Sequence, residues 1–254
     1  MLSVVVGLSL VVGLLLGLMG GGGSILTVPL LTAVAGMDAK EAVPSSLVMV
    51  GVSSLVAALV HARRGSVAWR TGLTFGAASM AGAFAGGFLG GLLPGVVLMI
   101  GFAMVMLVSA VRMIRPRKGG AADSGDGGAS VPLARVLLQG VVVGLITGVV
   151  GAGGGFLIVP ALVLLAGLSM PVAVGTSLLV IALNSAMGLV GHLGAVSLDW
   201  AVLGPATAAS AAAAVVGVLL AHRVPAKTLK TAFGWFVLVM GVLILVQQVI
   251  VLAG

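Results

Sequence analysis

Apolar runs separated by polar or Gly/Pro breaks fall near 1–19, 24–36, 43–61, 70–93, 95–114, 134–150, 155–168, 172–192, 200–221 and 229–252. A helix needs about 20 apolar residues to cross the hydrocarbon layer, so eight of these runs predict crossings, whereas 24–36 and 155–168 are too short. The pattern is that of an all-α polytopic membrane protein. No Lys or Arg precedes the first apolar stretch, so it reads as a retained helix rather than a signal peptide. Residues 115–132, RPRKGGAADSGDGGASVP, form the only long polar stretch and predict a flexible linker between transmembrane repeats at 1–114 and 133–254.

The two halves resemble each other. Shifted by 131 positions without a gap, residues 13–70 lie over 144–201 with 20 identities in 58 positions, where chance in so biased a composition gives about a tenth. Gly17, Gly20, Gly22, Gly23 and Pro29 fall on Gly148, Gly151, Gly153, Gly154 and Pro160, and Ser46, Ser54, His61 and Trp69 fall on Ser177, Ser185, His192 and Trp200. Shared apolar residues follow from composition alone; a His, a Trp and a Pro in one register do not.

Charge then orients the halves. The 62–70 loop carries Arg63, Arg64 and Arg70, whereas its counterpart at 193–201 carries only Asp199. The following loops reverse the sign: 93–95 is uncharged, and 222–230 carries His222, Arg223, Lys227 and Lys230. If bases mark the cytoplasm, corresponding loops lie on opposite sides, which predicts inverted-topology repeats of about five segments each. The linker region, with Arg112, Arg115, Arg117, Lys118 and Arg135, is then cytoplasmic and both termini lie on the other face.

Composition narrows the function. With 61% hydrophobic and 7% charged residues and a mean hydropathy of +1.36, the chain has no surface for a soluble enzyme, whose charged share is about 25%. The net charge of +7 reads as orienting loop charge rather than as a nucleic-acid surface. Zero cysteines exclude disulfides, thiolate metal sites and a Cys nucleophile. No cofactor or metal is expected.

The sharpest chemistry lies in GLMGGGGSILTVP (17–29) and GVVGAGGGFLIVP (148–160). Small residues alone would serve close helix packing. Consecutive glycines, however, cost about 1 kcal/mol each in a helix relative to Ala, so they predict broken helices near the midplane. Broken backbone at that depth is tolerated where it lines a cavity, and paired interruptions in two halves point to a transporter site. Gly20, Gly21, Gly22, Gly23 and Ser24 of one half, with Gly151, Gly153, Gly154 and Gly155 of the other, would offer bare N–H donors and positive helix ends to an anion. Neither run continues as GxxxxGK[ST], which excludes an NTPase phosphate loop.

The next segments open VPSS (43–46) and VGTS (174–177), predicting a second pair of helix N-termini. There Ser45, Ser46, Thr176 and Ser177 either cap the helices or bind the solute. Asn184 is an interhelical hydrogen bond or a substrate contact. His61 and His192 are interfacial residues or proton-coupling groups, since no Asp or Glu lies inside any apolar run. Trp69 and Trp200 read as interfacial anchors.

These motifs, continued by VPSSLVMVGVSSLVAALVHARRGSVAW and VGTSLLVIALNSAMGLVGHLGAVSLDW, resemble the TauE/SafE sulfite exporter family, also called the 4-toluene sulfonate uptake permease family, over essentially the whole chain. The resemblance implies a bacterial inner-membrane carrier for sulfur anions such as sulfite, sulfoacetate or other organosulfonates, with a small anion and the bilayer as partners. Pro44-Ser45 before Ser46 departs from the family's more usual Thr-Ser. From the residues themselves, a cation or neutral-metabolite carrier, or a membrane scaffold whose glycines serve packing, remain the alternatives.

Overall fold

The computed structural model describes residues 2–90, 95–115, 133–150, 155–190 and 198–253. These form ten α-helices: α1 (Leu2–Met19), α2 (Ser24–Ala33), α3 (Ala39–Arg63), α4 (Trp69–Gly90), α5 (Gly95–Ile114), α6 (Leu133–Val150), α7 (Gly155–Leu164), α8 (Met170–Val190), α9 (Trp200–Ala221) and α10 (Ala226–Ala253). Among the described residues, α1, Glu41–Arg63 of α3, α8, α9 and Ala226–Val246 of α10 are long and apolar enough to span a bilayer. Helices α4, α5 and α6, of 22, 20 and 18 residues, have the length to accompany them at 1.5 Å per residue. Helices α2 and α7, with 10 residues each, rise about 15 Å and reach half-way.

The burial pattern is that of a protein in lipid. Phe84, Leu138, Leu243 and Leu59 are exposed, while Ser53, Ser54, Ser79, Thr176, Ser177 and Ser210 are buried. Glycine lets helices approach backbone to backbone: a Cβ on Gly13 or Gly17 would fall on the carbonyl of Ser210 or Ala214, and one on Gly144 on that of Ser79. Each such contact holds one half against the other. The main packings join α1 to α9, α4 to α6, α5 to α10 and α3 to α8, an arrangement that maps onto itself when the halves are exchanged.

The contacts also give directions. Gly13 meets Ser210 and Gly17 meets Ala214, so α1 and α9 run parallel; Gly140 meets Phe75 and Gly144 meets Ser79, so α4 and α6 do as well. Gly51 meets Ser185 while Gly175 meets His61, so α3 and α8 are antiparallel; Gly234 meets Ile114 while Gly241 meets Met106, so α5 and α10 are too. Following the short connections, α3, α5 and α9 end, and α4, α6 and α10 begin, on one face. Arg63, Arg64, Arg70, Arg112, Arg115, Arg135, Arg223, Lys227 and Lys230 gather there, with Asp38, Glu41 and Asp199 at the opposite face. By the excess of bases the first face is the one expected to be cytoplasmic. Trp69 and Trp200, both exposed, start α4 and α9 on opposite faces, as interfacial anchors should.

The two half-helices end alike. After α2, Val34 and Ala35 N–H groups donate to the Leu30 carbonyl and Met37 N–H to that of Leu31; after α7, Leu165 and Ala166 donate to Ala161 and Leu168 to Leu162. Gly36 (φ 70°) and Gly167 (φ 71°) supply the left-handed residue that closes each turn. All of these positions correspond under the 131-residue shift.

One sequence expectation is corrected. The helices around VPSS and VGTS start at Ala39 and Met170, so Ser45, Ser46, Thr176 and Ser177 sit one to two turns inside α3 and α8 rather than at N-termini. Asp38 occupies the N-cap of α3. The run of good helix formers ahead of Pro44 extends the helix backwards, and a proline within the first two turns still spares most of the hydrogen-bond ladder.

Candidate functional site between two half-helix N-termini

The glycine run breaks the chain because its backbone takes conformations that other residues resist. Gly20 has φ 67° and Gly21 φ 156°, and both lie where a side chain has no room: a Cβ on Gly20 would stand 2.6 Å from Ser177 Oγ, and one on Gly21 would fall on the Gly155 carbonyl. Gly20 N–H still donates to Leu16 O at 2.7 Å, closing α1. The chain then reverses and α2 begins at Ser24 behind Gly23, whose cap position carries no side-chain hydrogen bond. Ser24 Oγ turns back to Gly21 O at 2.7 Å, Ser24 N–H donates to the same carbonyl at 3.2 Å and Leu26 N–H to Gly23 O at 3.1 Å, so the first turn carries main-chain bonds but no side-chain cap.

The other half contributes Gly155, the first residue of α7. A Cβ there would lie 2.9 Å from Ser24 Oγ and 3.0 Å from Ile181 Cδ1. The N-termini of α2 and α7 therefore adjoin. Their depth follows from their neighbours: Gly23 lies against Val12 and Leu16 of α1, Gly22 against Phe236, ten residues into α10, and Gly155 against Ile181, the middle of α8. Gly20 to Gly23 and Gly155 are all buried. Two helices thus present their positive ends, each equivalent to about half an elementary charge, to one another away from water.

Of the hydroxyls inside α3 and α8, that of Ser177 holds this junction. Ser177 Oγ, fully buried, lies 2.6 Å from Gly20 O and 2.8 Å from Val174 O, so its proton ties α8 to the broken end of α1. Thr176 Oγ1 accepts Ala68 N–H at 3.0 Å and anchors the α3–α4 connection. Ser46 Oγ donates to Val43 O within its own helix, and Ser45 is buried beside it. Asn184 bonds Ser79 of α4, Nδ2 to Oγ at 3.3 Å, which is the interhelical alternative for that residue. Gly151, Gly153, Gly154 and His192 lie outside the described residues.

His61 ends α3 on the basic face, 1% exposed, with neither ring nitrogen hydrogen-bonded. Its ring centroid is 5.2 Å from that of His222, the C-cap of α9. His222 has no histidine counterpart in the first half, since the shift places it on Gly91; a search by repeat cannot pair it with His61. The contacts of Ser79 and of Phe236 were equally hidden, because they depend on which helices become neighbours.

The comparisons with known proteins agree with this architecture. A chain of Xylella fastidiosa (strain 9a5c) named "Probable membrane transporter protein" is 31% identical over 251 residues, covering 96% of this chain and 95% of its own. A protein of Bacillus subtilis (strain 168), "Probable membrane transporter protein YdhB", is 26% identical over 235 residues, with 92% and 96% covered. One of Methanocaldococcus jannaschii, also named a probable membrane transporter, is 29% identical over 192 residues, with 72% and 69% covered. No solved structure matches. The profile of the family described as Sulfite exporter TauE/SafE matches residues 5–244. The chain is thus a multi-pass transporter of the plasma membrane and belongs to the TauE/SafE sulfite exporter family.

Proposed function

We propose that this transporter is a secondary carrier of sulfur-containing oxyanions such as sulfite or organosulfonates, and that it binds them between the N-termini of α2 and α7. The observation that carries this reading is the buried meeting, at mid-depth, of the N-terminus of α2, which has no side-chain cap, with the first residue of α7. Their dipoles repel, and a bound anion relieves that repulsion while taking its hydrogen bonds from main-chain amides. In this reading Gly20, Gly21, Gly22, Gly23 and Ser24 act with Gly151, Gly153, Gly154 and Gly155. Ser177 fixes the geometry, Ser45, Ser46 and Thr176 flank it, and Asn184 braces α8 against α4. Cations would find the wrong end of both dipoles.

The antiparallel course of counterpart helices supports reading residues 1–114 and 133–254 as inverted repeats that rock about this junction, joined by the cytoplasmic linker 115–132. Export needs no coupled ion: an inside-negative potential contributes about 2.3 kcal/mol per charge per 100 mV to an anion leaving the cell. Proteoliposomes loaded with sulfite or thiosulfate test the proposal. Efflux should rise with an inside-negative potential and disappear in Gly155→Val. Absence of flux and of binding for every sulfur oxyanion in a well-folded preparation would overturn it.

A further inference from the structure

A second polar feature lies off this junction, at the basic face. Both ring nitrogens of His61 are buried and neither makes a hydrogen bond of good geometry; the Gly17 main chain alone acts on the ring as a hydrogen-bond partner. Leaving such groups unmet is costly, and packing alone does not explain an imidazole at a place where a leucine would fill the same space. His222 stands in front of it, exposed, with the rings 5.2 Å apart and tilted by 45°. The groups around His61 are few. The α3–α4 connection brings Arg64, which acts electrostatically on both imidazoles; α9 brings His222, α8 brings Gly175, and α1 brings the main chain at Gly17. No carboxylate faces the pair: Asp38, Glu41 and Asp199 are on the opposite face.

The three cationic or protonatable groups therefore converge without a counterion. Both histidines also close helix C-termini, α3 and α9, whose negative ends favour imidazolium. An imidazolium has two N–H donors and no acceptor, and Arg64 adds a forked donor set. An anion with several oxygens satisfies what this cluster lacks, and the proton it calls for comes from cytoplasmic water onto a ring nitrogen of the pair.

We propose that His61, His222 and Arg64 form an inner anion site at the cytoplasmic mouth, where an oxyanion binds together with one proton before passing to the half-helix junction. This rests on the carrier reading above and adds to it a second site and a proton stoichiometry. At this site the imidazole pair, rather than a carboxylate, links transport to pH.

The test is calorimetric titration of the full-length protein in nanodiscs with thiosulfate, which stays fully ionised near neutral pH, in two buffers of different ionisation enthalpy. The wild type should take up close to one proton per anion bound at a pH where the pair is neutral beforehand. His61→Gln and His222→Gln should bind thiosulfate with that uptake lost, and Arg64→Gln should bind about tenfold more weakly, the loss of one charge-assisted contact. Circular dichroism and the elution profile identify folded variants, and His222→Gln, at an exposed position, serves where the buried change does not fold. Binding without proton uptake, or uptake that survives both histidine replacements, overturns the inner site and leaves the junction reading intact. If the wild type binds neither thiosulfate nor methanesulfonate, both proposals fall.

Discussion

Replacing Gly21 with alanine puts the half-helix junction to its most direct test. Two costs add. The backbone at φ 156° is strained for any L residue, by roughly 1–3 kcal/mol. The new methyl also falls on the Gly155 carbonyl and stands 3.0 Å from Phe156 N, and overpacking of this kind costs about 1–3 kcal/mol more. Gly36→Ala separates the terms, because Gly36 has φ 70° but nothing within 4 Å of its Cβ position, so it carries only a left-handed penalty of about 1–2 kcal/mol. Gly7→Ala, helical and open, should be neutral or stabilise by up to about 1 kcal/mol. Unfolding midpoints in one detergent, read by circular dichroism, should fall in the order Gly7→Ala, Gly36→Ala, Gly21→Ala, and only the last should lose thiosulfate binding. If Gly21→Ala matches Gly36→Ala in stability, the two N-termini do not touch, and the reasoning built on their contact fails.

Ser177→Ala removes the hydroxyl on the Gly20 carbonyl and should destabilise by about 1–3 kcal/mol in the same unfolding assay, the cost of a buried acceptor left unmet. A double-mutant cycle of Ser79→Ala with Asn184→Ala should show a coupling near 0.6 kcal/mol, and at most about 1.7, with anion affinity changed less than twofold; a large loss of affinity would make Asn184 a substrate contact. His222 has its pKa held below the ordinary 6.5 by partial burial first and the Arg64 charge second. Its unfolded form then binds more protons in the interval below 6.5, so stability should fall as pH drops through that interval and should fall less steeply in His222→Gln. Because the chain has no cysteine, Lys227→Cys and Asp38→Cys are clean single-label variants. A membrane-impermeant maleimide should reach Asp38→Cys in intact cells and Lys227→Cys only in inverted vesicles, and the reverse result would flip the orientation.

Much of the architecture is legible in one dimension because lipid imposes it. Twenty apolar residues must be a helix there, four adjacent glycines cannot be a good one, and arginines stay on the side where they were synthesised. The broken segment at Gly20–Gly23, the half-length of α2 and α7, and the matching of the halves all follow from such local rules. The helix starts at Ala39 and Met170 did not. Pro44 is a strong local signal for a first turn, yet the helix continues backwards past it, since propensity at a helix end is worth about 1 kcal/mol and tertiary packing outweighs it.

What the chain alone could not decide is which surfaces meet. That Gly21 lies against Gly155, that Ser177 holds Gly20 across 157 residues, that Asn184 spends its amide on Ser79, and that His61 finds His222 are consequences of helices crossing between the halves. Side-chain chemistry sets what each residue is able to do, but in a bundle whose helices all carry similar apolar faces, the neighbours are selected by close fit at glycines such as Gly13, Gly17 and Gly144. That fit belongs to pairs of surfaces and exists only once the helices have assembled.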